Sequence, residues 1–158
     1  MEFLDWLQNT ALATWISQSD SIWVYPAVLT LHTIGLGILV GINTAVDLRI
    51  LGFAPSVPLA PMEKYFPLMW GGFWINAISG FALFAASAAT KGTQPIFYVK
   101  LGLILLGVLN LRLLRSTVFH KPTAITTGDA PPKAKLLALA SLAIWLGAIV
   151  AGRLMAYV

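Results

Sequence analysis

The chain has 158 residues, of which 58% are hydrophobic and only 10% are charged, and its mean hydropathy is +0.82. A water-soluble domain of this length needs more charged surface, so the composition indicates an integral membrane protein. The absence of cysteine excludes disulfides, thiolate metal sites, iron–sulfur clusters and cysteine nucleophiles. The net charge of +4 results from ten Lys and Arg residues against six Asp and Glu residues. The basic residues are dispersed along the chain, a pattern that does not favour nucleic-acid binding.

The first predicted element is a short amphipathic helix over residues 2–17 that lies in the membrane interface. Its apolar residues Leu4, Leu7, Ala11 and Trp15 recur at helical spacing, and polar residues occupy most of the positions between them. The segment is acidic where a signal peptide is basic, so we expect it to be retained.

Four apolar segments follow, each long enough to cross a hydrocarbon core of about 30 Å as a helix. They are predicted at residues 22–45, 66–88, 96–114 and 136–157, within a single membrane domain over residues 1–158. The predicted fold is therefore an all-α four-helix bundle in the lipid bilayer. Because the first and third loops carry most of the Lys and Arg residues, we expect them in the cytoplasm and both termini in the periplasm of a bacterial inner membrane.

Two faces can be distinguished on the first span. His32 and Asp47 belong to a polar stripe, which we expect to face the bundle interior. Gly37, Gly41 and Ala45 lie on the opposite side at four-residue spacing and form a small-residue seam. Such a seam permits close approach of another helix, which can come from the same chain or from a second copy.

Polar residues near the cytoplasmic ends of the first and third spans form a predicted structural clamp. Its members are Asn43, Asp47, Arg49, Asn110, Arg112 and Arg115. We expect Asp47 to pair with Arg112 or Arg115, because an isolated charge near hydrocarbon is costly and Arg binds carboxylates with two donors. The clamp would fix helix register, and a gating or transport role is the alternative.

Position along each span predicts depth in the bilayer. His32, Asn76 and Trp145 fall near the middle of their spans, whereas Lys100 and Arg153 lie about 7–10 Å outward. None of the six acidic residues lies inside a span at that outer level. The two cations therefore either extend to the lipid headgroups or bind an anionic ligand between the third and fourth helices.

A haem b would use this arrangement, with His32 as the iron ligand, Lys100 and Arg153 at the propionates and Asn76 as a further contact. The second histidine, His120, follows the third span and cannot reach the same iron, so the haem would be five-coordinate or shared between two protomers. Two alternatives remain open. A quinone could bind His32 and Asn76, or His32 could have a structural role by bonding Asn76 or a backbone carbonyl.

No enzyme motif is present: the chain has no nucleophile elbow, P-loop or facing carboxylates, and His32 has no second metal ligand three or four residues away. The first functional hypothesis is therefore a non-catalytic membrane subunit or accessory protein. It would contact a partner protein or a second copy through Gly37 and Gly41. The competing hypothesis is a haem b- or quinone-binding electron-transfer subunit that uses His32, Lys100 and Arg153.

The segments "LHTIGLGILVG", "DLRILG", "KLGLILLGVLN" and "WLGAIVAGRLMAY" resemble a widespread family of small, uncharacterised bacterial four-helix membrane proteins. The matching positions are His32, Gly35, Asp47, Arg49, Gly52, Lys100, Asn110, Gly152 and Arg153. A His followed by glycines in the first span also resembles, more distantly, the membrane domain of copper-resistance D proteins and related haem-type bundles. The family resemblance implies the four-helix fold and gives no activity.

Overall fold

The computed structural model describes residues 2–119 and 130–157, and this part of the chain is helical without strands. Short helices occupy both sides of the first span and the end of the second. The elements are α1 (Glu2–Gln8), α2 (Ala11–Gln18), α3 (Val24–Ile50), a 3₁₀ helix (Ala60–Tyr65), α4 (Phe66–Ala85), α5 (Ala88–Lys91), α6 (Pro95–Val118) and α7 (Pro132–Leu154).

Four helical segments are long and apolar enough to cross a membrane, which confirms the predicted all-α bundle. They are α3, the 3₁₀ helix continued by α4, α6 and α7. The observed ends differ from prediction by a few residues. Pro95 and Pro132 are the first residues of α6 and α7, as expected for a residue whose fixed φ suits the first helical position. Helix α4 ends at Ala85, three residues early, because the backbone leaves helical geometry at Ser87.

The long helices form two pairs: α3 packs along α4, α6 packs along α7, and α3 also contacts α7. We call the end of the bundle where α3 begins and α7 ends the terminal end, and the opposite end the loop end. The α3–α4 crossing is very close. A Cβ atom on Gly35 would lie 2.6 Å from the Asn76 nitrogen and 2.8 Å from the Gly72 oxygen. Glycine is therefore required for these backbones to touch.

The predicted small-residue seam does not make this contact. Gly37, Gly41 and Ala45 are exposed, and a Cβ atom on either glycine would meet nothing within 4 Å. The alternative in which the seam packs against another helix of the same chain is therefore wrong for the described residues. Contact with a second copy stays a prediction.

The N-terminal segment forms two helices and not the single helix predicted over residues 2–17. At the break, the side-chain amide of Asn9 donates to the Asp5 carbonyl oxygen at 2.8 Å, and the Thr10 hydroxyl donates to the Leu7 carbonyl oxygen at 2.7 Å. Short polar side chains that bond nearby carbonyls in this way compete with the helix ladder, which explains why α1 ends here.

The break also changes which residues are covered. Leu7, Ala13 and Ile16 are buried, whereas Ala11 is exposed and Trp15 is 57% exposed. The predicted apolar face is thus correct in α1 and wrong in α2, because the second helix starts a new register. Both helices pack against the terminal end, α1 on α5 and α2 on α4.

Candidate functional site

A cavity of about 560 Å³ lies between the two helix pairs at the terminal end. Its lining includes all four residues predicted to bind a cofactor: His32, Asn76, Lys100 and Arg153. Each comes from a different long helix, so only the assembled bundle brings them together. The volume lies within the range of about 300–1,000 Å³ that is typical of small-molecule sites.

Hydrogen bonds fix the orientation of His32. Its Nδ1 lies 2.9 Å from the Asn76 carbonyl oxygen and 3.2 Å from the Ser79 hydroxyl oxygen. A carbonyl oxygen can only accept, so Nδ1 carries the hydrogen and Nε2 carries the lone pair of the neutral imidazole. The Asn76 amide donates in return to the His32 carbonyl oxygen at 2.8 Å and lies farther, 3.4 Å, from Nε2. The expected hydrogen bond from His32 to a backbone carbonyl is therefore present, and Nε2, with the Asn76 amide nitrogen at 3.4 Å, carries the lone pair of the ring.

Two glycines make room for the charged and ring side chains of the site. A Cβ atom on Gly80 would lie 2.8 Å from the His32 Cε1 atom, so only glycine lets α4 approach the imidazole this closely. A Cβ atom on Gly152 would lie 3.4 Å from the Lys100 ammonium nitrogen.

Because α3 extends to Ile50, His32 lies five residues from the helix midpoint, Gly37, on the side of the terminal end.

Three cations line the cavity. Lys91, at the end of α5, joins the predicted pair Lys100 and Arg153. None of the three forms an ion pair with any residue in 2–119 or 130–157. Lys91 was missed because the sequence places it in a turn. The only available signal was its position four residues before the Pro95 that starts α6, at the same end of the bundle as Lys100.

Trp145 belongs to the same lining and is only 3% exposed. Its indole nitrogen has no hydrogen-bond partner among the described residues. A Cβ atom on Gly107 would lie 3.0 Å from the Cε2 and Cζ2 atoms of the indole, so the ring packs directly against the α6 backbone. His32, Asn76 and Trp145 thus line one cavity, although the prediction that His32 lies near the middle of its helix is wrong, because α3 extends to Ile50.

The loop end contains a second polar cluster of a different kind. The Asn43 amide donates to the Asp47 carboxylate at 2.6 Å and to the Ser141 hydroxyl oxygen at 2.7 Å. All three residues are at most 2% exposed. The expected ion pair from Asp47 to Arg112 or Arg115 is wrong, because the carboxylate is instead met by neutral hydrogen-bonding groups. Ser141 was missed, although a hydroxyl inside an apolar span was a signal for it.

The two arginines at the end of α6 make other contacts. Arg115 forms an ion pair with Glu63 at 3.2 Å, and both side chains are 42% exposed. The Arg112 guanidinium lies 6.0 Å from the centre of the Trp70 ring. These contacts connect α6 to the 3₁₀ helix and to α4, so both residues still link elements at the loop end, as a clamp does.

The remaining clamp residues are bonded to backbone oxygens. Arg49 donates through Nε to the Val57 carbonyl oxygen and through Nη2 to that of Pro55 at 3.3 Å. The Asn110 amide donates to the Leu137 carbonyl oxygen at 3.0 Å and so joins α6 to α7. The predicted clamp residues thus share the loop end but act as separate contacts.

His120 lies outside the described residues. Within these residues, no three His, Asp or Glu side chains come together as a metal site would require. Searches of protein-family models, curated proteins and solved structures return no match to this chain. The resemblance to the bacterial four-helix family, and the more distant one to copper-resistance D proteins, therefore stays a prediction.

Proposed function

We propose that the protein is a non-catalytic membrane subunit that holds haem b in the cavity at the terminal end. His32 would bind the iron through Nε2, and Lys100 and Arg153 would bind the propionates. The observation that supports this most is that one cavity contains both an oriented imidazole and cations without an acidic partner among the described residues.

The donor set fits the group. A metal-binding histidine ordinarily donates its other ring N–H to a carbonyl or carboxylate oxygen, and the His32 Nδ1 bond to the Asn76 carbonyl oxygen has this form. A haem is a mostly apolar plane with two carboxylates on one edge. The cavity has a corresponding charged part, because its cations Lys91, Lys100 and Arg153 all lie close to the ends of their helices. The two carboxylates of the haem would lie there.

A quinone fits less well. It could accept a hydrogen bond from the site, but it carries no anionic group for the three cations. When bound, haem would supply one-electron chemistry, whereas this chain's own residues would bind it, orient it and exclude water. The proposed function is therefore the second of the two hypotheses drawn from the sequence, the electron-transfer subunit.

The proposal is compatible with the first hypothesis, a membrane subunit or accessory protein that contacts a partner, because an electron-transfer subunit works with a partner protein. The exposed seam of Gly37, Gly41 and Ala45 is the surface we propose for that contact, with a second copy or another membrane protein. We further propose the bacterial inner membrane, with both termini periplasmic, as the location. The cavity would then open toward the periplasm.

A visible spectrum of the protein purified in mild detergent tests the proposal. We expect a Soret band that shifts on reduction with dithionite and is lost in His32→Ala. The matched control is His120→Ala, which removes the other histidine of the chain and should keep the band. A colourless preparation that is fully folded and takes up no added haemin would overturn the proposal.

A further inference from the structure

Lys91 lies in the cavity lining with Lys100 and Arg153, the two cations assigned to the propionates. Its side chain is half-buried and forms no ion pair within residues 2–119 and 130–157. Its ammonium group is close enough to Lys100 for the two charges to repel each other, and its charge also acts on His32. Two like charges held together beside a cavity, with no acid between them among the described residues, favour an anion there.

The short helix that carries Lys91 is fixed from both sides. Helix α5 has only four residues, too few to be stable without outside contacts. The Ala89 N–H at its start donates to the side-chain oxygen of Gln8 at 2.8 Å. Just after its end, the Tyr98 hydroxyl donates to the Gly92 carbonyl oxygen at 2.9 Å. Lys91 therefore lies between two fixed points of the backbone.

Helix α1 also packs along α5, on which it makes apolar contacts besides the Gln8 hydrogen bond. Leu7 belongs to a buried apolar cluster with Ala85 and Ala88. A Cβ atom on Gly92 would lie 2.7 Å from the Cδ1 atom of Leu4, so glycine is needed where α1 meets the turn after α5. The N-terminal helix therefore helps to determine where the cation on α5 lies.

We propose that Lys91 binds a haem carboxylate beside Lys100 and Arg153, and that Gln8 is a positioning residue that holds α5 so that Lys91 faces the cavity. The inference rests on the proposed function and makes the N-terminal helix part of the site. A carboxylate has two oxygens with about four acceptor positions, so two carboxylates can accept from three cations.

Haemin and its dimethyl ester separate a carboxylate contact from a general loss of structure, because the ester keeps the ring and the iron but has no carboxylate charge. In Lys91→Met, we expect the dissociation constant of haemin to rise about tenfold and that of the ester to change less than about twofold. Lys91→Arg keeps the charge and should restore most of the affinity for haemin. Lys64→Met is the matched control, since Lys64 is exposed and outside the lining, and it should leave both constants unchanged.

Gln8→Met tests the positioning role, because it keeps the side-chain length and removes the acceptor for the Ala89 N–H. We expect the dissociation constant of haemin to rise about threefold. Combined with Lys91→Met, it should add nothing further, because Gln8 acts on the ligand only through Lys91. Gln18→Met, at the exposed end of α2, is the control and should change nothing. Additive losses, or a Gln8→Met protein that does not fold, would overturn the positioning role.

Unmodified protein supplies a second measurement in case Lys91→Met does not fold. Acetylation of the lysines, followed by mass spectrometry, reports how freely each ammonium group reacts. Bound haemin should slow the acetylation of Lys91 about tenfold, because an ammonium group bound to a carboxylate is not free to react. Lys64 should react at the same rate with and without haemin. An unchanged rate at Lys91 would count against the proposal.

The outcomes distinguish this inference from the proposed function. A folded protein that takes up no haemin overturns both. A protein that binds haemin and its dimethyl ester equally well overturns the carboxylate contacts of all three cations and leaves His32 as the iron ligand. A protein whose affinity for haemin is the same with and without Lys91 overturns only the further inference.

Discussion

The two ends of the bundle treat their polar groups in opposite ways. At the loop end, the buried Asp47 carboxylate is met by Asn43 with Ser141 beside it, and Arg115 has Glu63 as a counter-charge. At the terminal end, Lys100 and Arg153 face a cavity and form no ion pair with any described residue. Buried polar groups that are fully paired stabilise one arrangement, whereas charges left without a partner beside a cavity are suited to a ligand.

The structural cluster and the candidate binding site therefore differ in whether their polar groups have partners, and not in their residue composition. Both ends contain Asn and cations, so residue composition alone does not distinguish them.

The largest effect is expected at the α3–α4 crossing, which holds His32 against Asn76. Gly35→Leu would place side-chain atoms where the backbone of α4 lies, since even a Cβ atom would be 2.6 Å from the Asn76 nitrogen. We expect little or no folded protein by size-exclusion chromatography in detergent. Gly41→Leu is the matched control, because a Cβ atom there meets nothing within 4 Å.

That control also tests the seam. If Gly41→Leu stays folded and its mass in detergent falls from that of a dimer to that of a monomer, the predicted contact between copies is supported. An unchanged mass would show that the seam makes no contact between copies. A loss of folding equal to that of Gly35→Leu would contradict the described packing of α3.

The next largest effect is expected in the loop-end cluster. Asn43→Leu removes the donor to Asp47 and leaves a buried carboxylate with poorer hydrogen bonding, which should lower the free energy of unfolding by about 3 kcal/mol. Thermal unfolding in detergent measures the loss. Asp47→Asn keeps the shape and removes the charge, so it should cost clearly less, and equal losses would argue against a paired structural cluster.

A smaller effect of opposite sign is expected at the terminal end. Lys100→Met keeps most of the side-chain volume and removes a charge that has no acidic partner among the described residues. The ligand-free protein should therefore keep or gain up to about 1 kcal/mol of stability. The same variant should release haem faster than the unmodified protein. A clear loss of ligand-free stability would instead give Lys100 a structural role and weaken the contrast between the ends.

The smallest effect is expected for the exposed ion pair. Glu63→Gln removes the counter-charge of Arg115 where both side chains are 42% exposed, so the free energy of unfolding should change by less than about 0.5 kcal/mol. Raising the salt concentration should shrink the difference further. A loss comparable to that of Asn43→Leu would show that the loop end depends on its ion pair after all.

The sequence anticipated much of the candidate site. His32, Asn76, Lys100 and Arg153 were chosen for their side-chain chemistry and their positions along the predicted spans, and all four line one cavity of the assembled bundle. The position of a residue along its span did not identify its hydrogen-bond partners. Position predicted an arginine beside Asp47, but the nearest polar groups are neutral, because the face that α7 presents to α3 carries Ser141.

The same distinction explains the glycines. Gly37 and Gly41 have the spacing of a packing seam, yet Gly35 and Gly72 make the close crossing. Spacing identifies a face that could allow close approach, and only the position of α4 decides which face is used.

The sequence by itself determined the all-helical fold and the four helices that are long and apolar enough to span a membrane. It could do so because hydrocarbon requires about 20 consecutive apolar residues and satisfies no backbone group. Only the tertiary structure decided which helices pair, which glycines touch and which polar groups remain unpaired. A helical period gives the direction of each side chain about its own axis, but the neighbour it meets depends on how the helices pack together.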